Sequence, residues 1–343
     1  GLAQASVLAS AAFGSVCGSS VATAATIAQV ALPEMRRYRY DGGFATATLA
    51  AGGTLGILVP PSVVLVLYAI LTEQNIARLF AAALLPGVLA AVLYCVAIAL
   101  FMRVRPHLGP PDEKMPMRRR LEVLAGVVPV TVIFVIVLGG IYGGVFTATE
   151  AAAIGVLLTA VAGFAARQLT PRRVGQALLA TAQTTGAIFM IFIGADMLNA
   201  ALALTQMPAQ VADLIAHVDL SPVAVVVAVL LFYVVLGGVM DEMSMLLLTL
   251  PVVFPAVMQL PLFGLGPEDK ALWFGVLLLT VVNIGLIAPP VGLNVYVVGM
   301  QARDVPVTRT YRYVLVFLAA DALRLALLVA LPVLSLWLVQ FVR

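Results

Sequence analysis

Long apolar runs dominate this sequence and restrict what it can fold into. An α-helix needs about 20 mostly apolar residues to cross a bilayer. Runs of this kind lie at 81–101, 121–140, 149–166, 222–240, 273–300 and 313–341. Hydrophobic residues make up 63% of the chain and charged residues only 10%, whereas soluble domains are about 45–50% apolar and about 25% charged. Because barrel strands would alternate at every second residue, we predict an all-α polytopic membrane protein embedded in a lipid bilayer.

The basic residues indicate how these segments are oriented. Most of the 19 lysines and arginines lie in four loops, at 36–39, 103–120, 167–173 and 303–312. The loops between them carry little positive charge, and all four basic loops fall on one side if two segments are re-entrant hairpins. The positive-inside rule makes that side cytoplasmic and puts the C-terminus in the periplasm. The net charge of +3 then has an ordinary cause and does not indicate nucleic-acid binding.

One motif that is incompatible with a regular helix occurs twice inside apolar runs. The pattern Gly-x-x-x-Pro-Pro is found at 56–61 and, at a constant offset, again at 285–290. Proline removes a backbone donor and clashes with the preceding turn, and it disfavours helical geometry in the residue before it. We therefore predict two broken helices, unwound from the glycine to the prolines. The predicted breaks are at Pro60, Pro61, Pro289 and Pro290.

A Gly-rich polar segment precedes each predicted break. These segments, 14–20 and 237–242, each lie between two apolar arms that are shorter than a full span. Non-helical backbone at membrane depth is tolerated only where protein buries it or where it lines a wet cavity. We predict two re-entrant hairpins, hairpin 1 at 1–36 and hairpin 2 at 220–258.

The hairpins and broken helices divide the chain into two inverted repeats. The first, 1–102, contains hairpin 1, a broken helix at 44–70 and a span at 81–101, and a cytoplasmic linker follows at 103–120. The second, 121–343, contains scaffold spans at 121–205, hairpin 2, a broken helix at 273–300 and a last span at 313–341. Since the first repeat lacks counterparts of the scaffold spans, we expect that N-terminal scaffold helices are missing. Paired interrupted segments in two halves are typical of transporter binding sites near the bilayer midplane.

The helix breaks and the Gly-rich tips of the hairpins, at 14–20 and 237–242, together suggest ion and substrate sites. Unwound backbone offers carbonyl oxygens to a small cation such as Na⁺. The first candidate ion site contains Ser15, Gly18, Ser19, Thr54 and Gly56. The second contains Gly237, Gly238, Asp241, Asn283 and Gly285. Helix N-termini near the breaks would offer amide donors to an anionic substrate, and candidate substrate contacts are Ser20, Ser62 and Asn294.

Four ionisable residues inside apolar segments need separate interpretation. A carboxylate at membrane depth is costly and functional by default. For Asp241, ion or proton coupling and simple capping of a hairpin arm are equally open, and coupling is weaker for Glu242. Asp321 and Arg324 are spaced i, i+3 in the last span and can pair on one face, so we predict a structural ion pair.

Several of these motifs, in order, resemble one transporter family. They are Gly-x-x-x-Gly-Ser-Ser-x-Ala at 14–22, Leu-Pro-Glu-Met at 32–35, Tyr-Asp-x-Gly-Phe-Ala at 40–45, Thr-Leu-Gly-Ile-Leu-Val-Pro-Pro-Ser at 54–62, Leu-Pro-Gly at 85–87 and Ile-Gly-Leu-Ile-Ala-Pro-Pro-Val-Gly-Leu-Asn at 284–294. The chain resembles, over essentially all of 1–340, the large membrane subunit of tripartite ATP-independent periplasmic (TRAP) transporters. Cys17 and Glu242 depart from what the resemblance leads us to expect at the hairpin tips.

The resemblance implies an elevator-type carrier in the bacterial inner membrane. Hairpins and broken helices would form the moving part, and other spans would form a scaffold together with a small membrane subunit. A soluble periplasmic binding protein would deliver an organic acid, of the C4-dicarboxylate, keto-acid or sugar-acid type. Na⁺ would be the coupling ion, and no other cofactor is implied.

Two other functional classes compete with this interpretation. A stand-alone Na⁺- or H⁺-coupled dicarboxylate or anion carrier could use the same hairpins without a binding protein. A structural scaffold or an intramembrane enzyme is less consistent with the sequence. The duplicated breaks disfavour a scaffold, and no phosphate loop, H-E-x-x-H motif or Ser/Asp/His cluster supports an enzyme.

Overall fold

A computed structural model describes residues 1–109, 128–207, 210 and 221–342, and helices dominate these ranges. We number the α-helices α1 to α14 in chain order. They span Leu2–Cys17, Ser20–Arg37, Gly42–Leu58, Val63–Leu71, Ile76–Val104, Val128–Tyr142, Ala148–Ala165, Pro171–Leu204, Pro222–Gly237, Glu242–Met258, Pro267–Gly285, Leu293–Gln301, Val307–Ala330 and Val333–Leu336. Short 3-10 turns lie at Pro106–Leu108 and Leu338–Phe341. Most of the predicted linker at 103–120, and 121–127, lie outside the described residues.

The helices have the length and composition of a membrane protein. Four of them, α5, α7, α8 and α13, are each long and apolar enough to cross a bilayer. The pair α3 and α4 passes the same test together, with a bend of 42° at its break. The described residues form helices and no strands, as predicted, and these helices are consistent with a polytopic membrane protein.

The last predicted span differs from the structure. We expected one helix over 313–341, but α13 begins at Val307 and ends at Ala330, and only a short helix and a 3-10 turn follow. Pro332 explains the interruption, because it cannot donate to a preceding carbonyl and it disfavours helical geometry at Leu331. The second broken helix also begins earlier than expected, at Pro267.

Helices α1 and α2 form an antiparallel pair against α3. The C-terminal end of α1 lies at the end of α3, since a Cβ added to Gly14 would lie 2.5 Å from the Cα of Gly56. The start of α2 lies at the same place, with Thr23 beside Gly56, while its C-terminal end is joined to the start of α3 by a short loop. Therefore α1 runs parallel to α3, and α2 runs opposite to both.

Helices α9 and α10 form a second antiparallel pair. The segment 238–241 joins α9 to α10, and the Tyr233 hydroxyl of α9 lies 2.6 Å from Thr249 Oγ1 of α10. The C-terminal ends of α9 and α11 meet at Gly237 and Gly285, where an added Cβ on Gly285 would lie 2.6 Å from the Gly237 Cα. Helices α9, α10 and α11 are thus arranged in the same way as α1, α2 and α3.

Ion pairs connect the two halves at opposite ends of the molecule. At one end, Arg36 pairs with Asp304 and Arg309 pairs with Asp41. At the other end, Arg78 at the start of α5 pairs with Glu268 at the start of α11. The first broken helix, α3–α4, therefore begins at the end of the molecule where the second, α11–α12, finishes. The two broken helices run in opposite directions. Exposed ion pairs of this kind contribute at most about 1 kcal/mol each to stability. They indicate which helix ends lie together but add little to the stability of the fold.

The core is centred on the first segments of the two broken helices. Every residue of α3 from Gly43 to Leu58 is buried, and so is every residue of α11 from Lys270 to Gly285. By contrast, only 6% of the most apolar window of α7, and likewise of α8, is buried. Those two helices present apolar surface outward from this chain, as expected for contact with lipid or other membrane helices.

Candidate functional site

The turn between α1 and α2 lies directly on the break between α3 and α4. Gly18 ends α1 with a φ of 66°, which a residue with a Cβ rarely adopts. Ser19 caps α2, its Oγ accepting from the Ala22 amide at 3.4 Å. An added Cβ on Gly18 would lie 3.4 Å from the Pro61 carbonyl oxygen and 3.3 Å from the Val63 amide nitrogen. Tip and break therefore share one compact site.

The turn between α9 and α10 lies on the second break in the same way. An added Cβ on Gly238 would lie 3.4 Å from the Pro289 carbonyl oxygen. The Val291 amide donates to the Gly238 carbonyl at 3.3 Å, so a backbone hydrogen bond joins this tip to its break. Glycines at 237, 238 and 285 allow the close backbone approach, since a side chain at any of them would enter the contact.

The first break is shorter than we expected. Helix α3 continues through Thr54 and Gly56 to Leu58, and the non-helical stretch covers only 59–62. A helix can run up to the residues before a proline, because what the proline removes is the donor for a carbonyl four positions back. The Gly56 and Ile57 carbonyls face Pro60 and Pro61 in this way and have no i+4 amide donor.

The second break is longer and partly satisfies its own carbonyls. Gly285 is the last residue of α11 and α12 begins at Leu293. The Gly285 carbonyl accepts from the backbone amide of Ala288 at 3.2 Å, and the Leu286 carbonyl accepts from the backbone amide of Asn294 at 3.0 Å. Asn283 remains helical, so its side chain rather than its backbone would be the group available to a ligand.

The first predicted ion group comes together only in part. The Ser19 carbonyl oxygen would lie 2.7 Å from an added Cβ on Gly56, so these two residues and Gly18 are neighbours. Ser15 and Thr54 are buried, but their hydroxyls donate to carbonyls of their own helices, at Ala12 and Ala51, both at 2.8 Å. Ser62, a predicted substrate contact, caps α4 by accepting from the Leu65 amide.

Two buried asparagines at the second break have unmet hydrogen bonds, Asn283 of the second predicted ion group and Asn294, a predicted substrate contact. Asn283 is fully buried, and neither its amide nitrogen nor its amide oxygen has a partner among the described residues. Asn294 is also fully buried, and its Nδ2 donates to the Ala50 carbonyl of α3 at 3.3 Å while its Oδ1 has no described partner. Leaving a buried polar group unpaired costs about 1–3 kcal/mol, so these side chains are suited to receive a ligand.

Asp241 performs the capping role that the sequence left open. Its Oδ2 accepts from the amides of Met243 at 3.2 Å and Ser244 at 3.0 Å, and the residue is exposed. A carboxylate at this position stabilises α10 both as a cap and through the helix dipole. Capping leaves its second oxygen free for other partners.

Glu242 is the residue that sequence reasoning undervalued. It is only 5% exposed, and its Oε1 accepts from the Ser20 hydroxyl at 3.0 Å. The bond joins the tips of the two helix pairs, whereas Oε2 has no partner among the described residues. A carboxylate in an apolar segment was the available signal, but no spacing rule could have matched it to a serine 222 positions away.

The predicted pair of Asp321 and Arg324 is confirmed within the last long helix. Both side chains are buried, and Arg324 Nη2 lies 3.0 Å from Asp321 Oδ1. The Tyr94 hydroxyl of α5 donates to Asp321 Oδ2 at 2.6 Å and lies 3.4 Å from Thr54 Oγ1. This network connects α13 through α5 to α3, one turn before the first break.

A large apolar groove lies away from these residues. It has a volume of about 540 Å³ and is lined by α9, α13 and Phe263 with almost no polar surface. A site for a charged solute needs a few placed polar groups. We therefore place the candidate site at the tips and breaks.

Comparison with known proteins gives one consistent answer. A family model described as "Tripartite ATP-independent periplasmic transporter, DctM component" matches residues 1–334. The C4-dicarboxylate TRAP transporter large permease protein DctM of Pseudomonas aeruginosa is 33% identical over 337 residues, covering 98% of this chain and 77% of that protein. The sialic acid TRAP transporter large permease protein SiaM of Vibrio cholerae is 30% identical over 332 residues, covering 96% and 75%.

A third relative has a different named solute. The 2,3-diketo-L-gulonate TRAP transporter large permease protein YiaN of Escherichia coli is 27% identical over 320 residues, covering 92% of this chain and 73% of that protein. These relatives are transport proteins and not enzymes, and the match spans nearly the whole chain. The chain belongs to the DctM family, the large permeases of TRAP transporters, and is a multi-pass protein of the bacterial inner membrane.

Proposed function

We propose that this chain is the transport subunit that imports an organic acid by Na⁺ symport, working with a small membrane subunit and a periplasmic binding protein. The relatives are named for C4-dicarboxylates, sialic acid and 2,3-diketo-L-gulonate, all of them acids. The observation that carries the proposal is the contact of each hairpin tip with its own helix break. Such contacts place unwound backbone and helix ends together, as ion-coupled carriers require.

The coupling ions would bind at the two breaks. At the first, the Gly56 carbonyl lacks a helical donor, and the Ser19 carbonyl oxygen, which accepts from the Thr23 hydroxyl, would lie 2.7 Å from an added Cβ on Gly56. At the second, the buried Asn283 and Asn294 side chains offer amide oxygens without described partners. Hard oxygen ligands of this kind suit Na⁺, and neither group requires a cluster of carboxylates or histidines.

The two helix pairs would be re-entrant hairpins of inverted repeats. The opposite courses of the broken helices support inversion, since the ion pairs link the start of one to the finish of the other. Three basic loops also meet at one end, because the Asp41 amide donates to the Leu108 carbonyl while Asp41 pairs with Arg309. That end would be cytoplasmic and the C-terminus periplasmic.

An elevator mechanism would divide the helices into two groups. Hairpins and broken helices, which carry the buried core and both candidate ion groups, would move together. The outward-facing α7 and α8 would belong to a scaffold with the small subunit, since their apolar surfaces are exposed in this chain. Moving a binding site across a membrane requires a rigid mobile part and a fixed partner surface.

Uptake by reconstituted subunits tests the function. Proteoliposomes containing both membrane subunits should accumulate an organic acid only with Na⁺ outside and binding protein present. Accumulation that needs Na⁺ but no binding protein would favour the stand-alone carrier instead. Accumulation that is equal in choline and in Na⁺ would exclude Na⁺ coupling.

A matched pair of variants tests the second ion group. Asn283→Leu removes a buried amide without partners, whereas Thr280→Val removes a buried hydroxyl one turn earlier that already donates to the Val276 carbonyl. We expect Asn283→Leu to raise the Na⁺ concentration for half-maximal uptake at least tenfold, roughly the loss of one ligand to a charged group. Thr280→Val should leave it unchanged, and an equal response of the two variants would remove Asn283 from the ion site.

A further inference from the structure

Glu242 and Ser20 lie where the two hairpins meet, in a position that neither candidate ion group uses. Each ion group contains one tip and the break beside it. The Ser20–Glu242 hydrogen bond instead crosses from hairpin 1 to hairpin 2. A ligand at this point would touch both halves, and the interface between repeats is where such carriers bind their substrate.

The unmet acceptor of Glu242 requires a donor. Glu242 is 5% exposed, Ser20 is fully buried, and Oε2 has no partner among the described residues. A buried charged group left without its hydrogen bonds is strongly unfavourable. Retaining a glutamate here is therefore costly unless another molecule supplies the missing hydrogen.

The surroundings select the chemistry of that molecule. Ser20 and Glu242 are the first residues of α2 and α10, so two helix N-termini face the same point and favour an anion nearby. Glu242 and the adjacent Asp241 would repel a second carboxylate at their own side. Among the described residues no three His, Cys, Asp or Glu side chains come together as a metal site would need.

We propose that Glu242 determines substrate specificity by accepting a hydrogen bond from a hydroxyl or amino group of the transported acid. The substrate would then be a hydroxy- or amino-acid, and not an acid whose polar groups are all carboxylates. This inference rests on the proposed function and narrows its substrate class.

Substrate pairs that share a carbon skeleton give the first test. Uptake with both membrane subunits and the binding protein is measured for succinate, malate and aspartate, for propionate, lactate and alanine, and for gluconate. The transported acid should be one that carries a hydroxyl or amino hydrogen. Preferred uptake of succinate or propionate would overturn the specificity inference and leave the proposed function intact. Absence of Na⁺-dependent uptake of every acid, including those that the binding protein retains, would overturn both.

Variants of Glu242 give the second test. Glu242→Leu should lower uptake of the preferred acid about 10- to 100-fold, the range for a lost hydrogen bond to a charged group, and leave the Na⁺ concentration for half-maximal uptake unchanged. Glu268→Gln changes an exposed glutamate at the start of α11 and serves as the matched control. A rise in the half-maximal Na⁺ concentration with an unchanged preference among the acids would make Glu242 a cation ligand and overturn the inference.

The variant Glu242→Gln distinguishes a hydroxyl donor from an ammonium donor on the substrate. It also controls for misfolding, because glutamine keeps the size and shape of the glutamate side chain. Glu242→Gln keeps a neutral acceptor for Ser20 and for a substrate hydroxyl but removes the charge that an ammonium group needs. Uptake of a hydroxy-acid should fall less than that of an amino-acid. Equal uptake by Glu242→Gln and Glu242→Leu, with an unchanged preference for the hydrogen-bearing acid, would show that Glu242 does not read the substrate.

Discussion

The buried Asp321–Arg324 pair makes a sharp prediction about stability. Replacing Asp321 with leucine leaves the Arg324 guanidinium without its counter-ion, in a position where the side chain is 0% exposed. Removing one partner of a buried pair costs about 3–5 kcal/mol, because a charge stays buried and uncompensated. Arg324 Nε, Nη1 and Nη2 make no other described hydrogen bond that could compensate. We therefore expect a loss at the upper end of this range.

Removing both charges together should restore most of that loss. In the double variant Asp321→Leu/Arg324→Met no charge remains to be desolvated, and apolar replacements of buried pairs are often neutral or stabilising. Tyr94→Phe removes one hydrogen bond to the Asp321 carboxylate, at 2.6 Å, and should cost about 1.5–3 kcal/mol. The double variant also leaves the buried Tyr94 hydroxyl without its Asp321 acceptor, so we expect it and Tyr94→Phe to be destabilised to a similar degree, both less than Asp321→Leu.

Tryptophan fluorescence during unfolding in mixed micelles provides the assay. The Trp273 indole of α11 donates to the Leu328 carbonyl of α13 at 2.9 Å. Leu328 lies one turn after Arg324 on α13, so Trp273 emission should report the loss of packing between α11 and α13. The coupling energy follows from Asp321→Leu, Arg324→Met and the variant carrying both substitutions, in a double-mutant cycle. A double variant as unstable as Asp321→Leu alone would refute the reasoning, because the cost would then come from lost packing and not from an unpaired charge.

Two further predictions concern packing and surface charge. Gly56→Ala should destabilise the protein by about 1–3 kcal/mol through overpacking, since the added Cβ would lie 2.5 Å from Thr23 Oγ1; Gly186→Ala, with nothing within 4 Å, is the control, and equal melting temperatures for the two variants would contradict the close contact. Arg78→Ala breaks a partly exposed pair with Glu268 and should cost no more than about 1 kcal/mol in the same unfolding assay; a larger loss would show that this pair is energetically coupled to the core.

Local rules predicted the breaks and tips well because each depends on a few neighbouring residues. The paired prolines at 60–61 and 289–290 interrupt their helices because each pair removes two successive backbone donors, whereas a single proline such as Pro86 lies inside a helix. Gly18 ends α1 because its left-handed backbone conformation has little steric cost for glycine. The extent of each break was less predictable, since a helix can run up to the residues before a proline and α3 continues to Leu58.

Contacts between distant segments could not be predicted from the sequence. The hydrogen bond between Ser20 and Glu242 depends on how two hairpins pack, and no periodicity encodes it. The same is true of Tyr94, a tyrosine in an apolar segment whose hydroxyl donates to Asp321 in a distant part of the chain. Asp321 and Arg324 were predictable as a pair because they lie one turn apart on a single helix.

The two tips differ in charge, and this difference orients the substrate in the proposed site. Residues 1–33 contain no Asp, Glu, Lys, Arg or His, so the tip of hairpin 1 and the break beside it offer hydroxyls and helix N-termini at Ser19 and Ser62. Hairpin 2 presents Asp241 and Glu242 at its tip. A substrate carboxylate is favoured by the uncharged N-termini and repelled by the acidic tip. We therefore expect the carboxylate to face hairpin 1 and the hydroxyl or amino group to face Glu242, so that both hairpins contact one molecule through opposite ends.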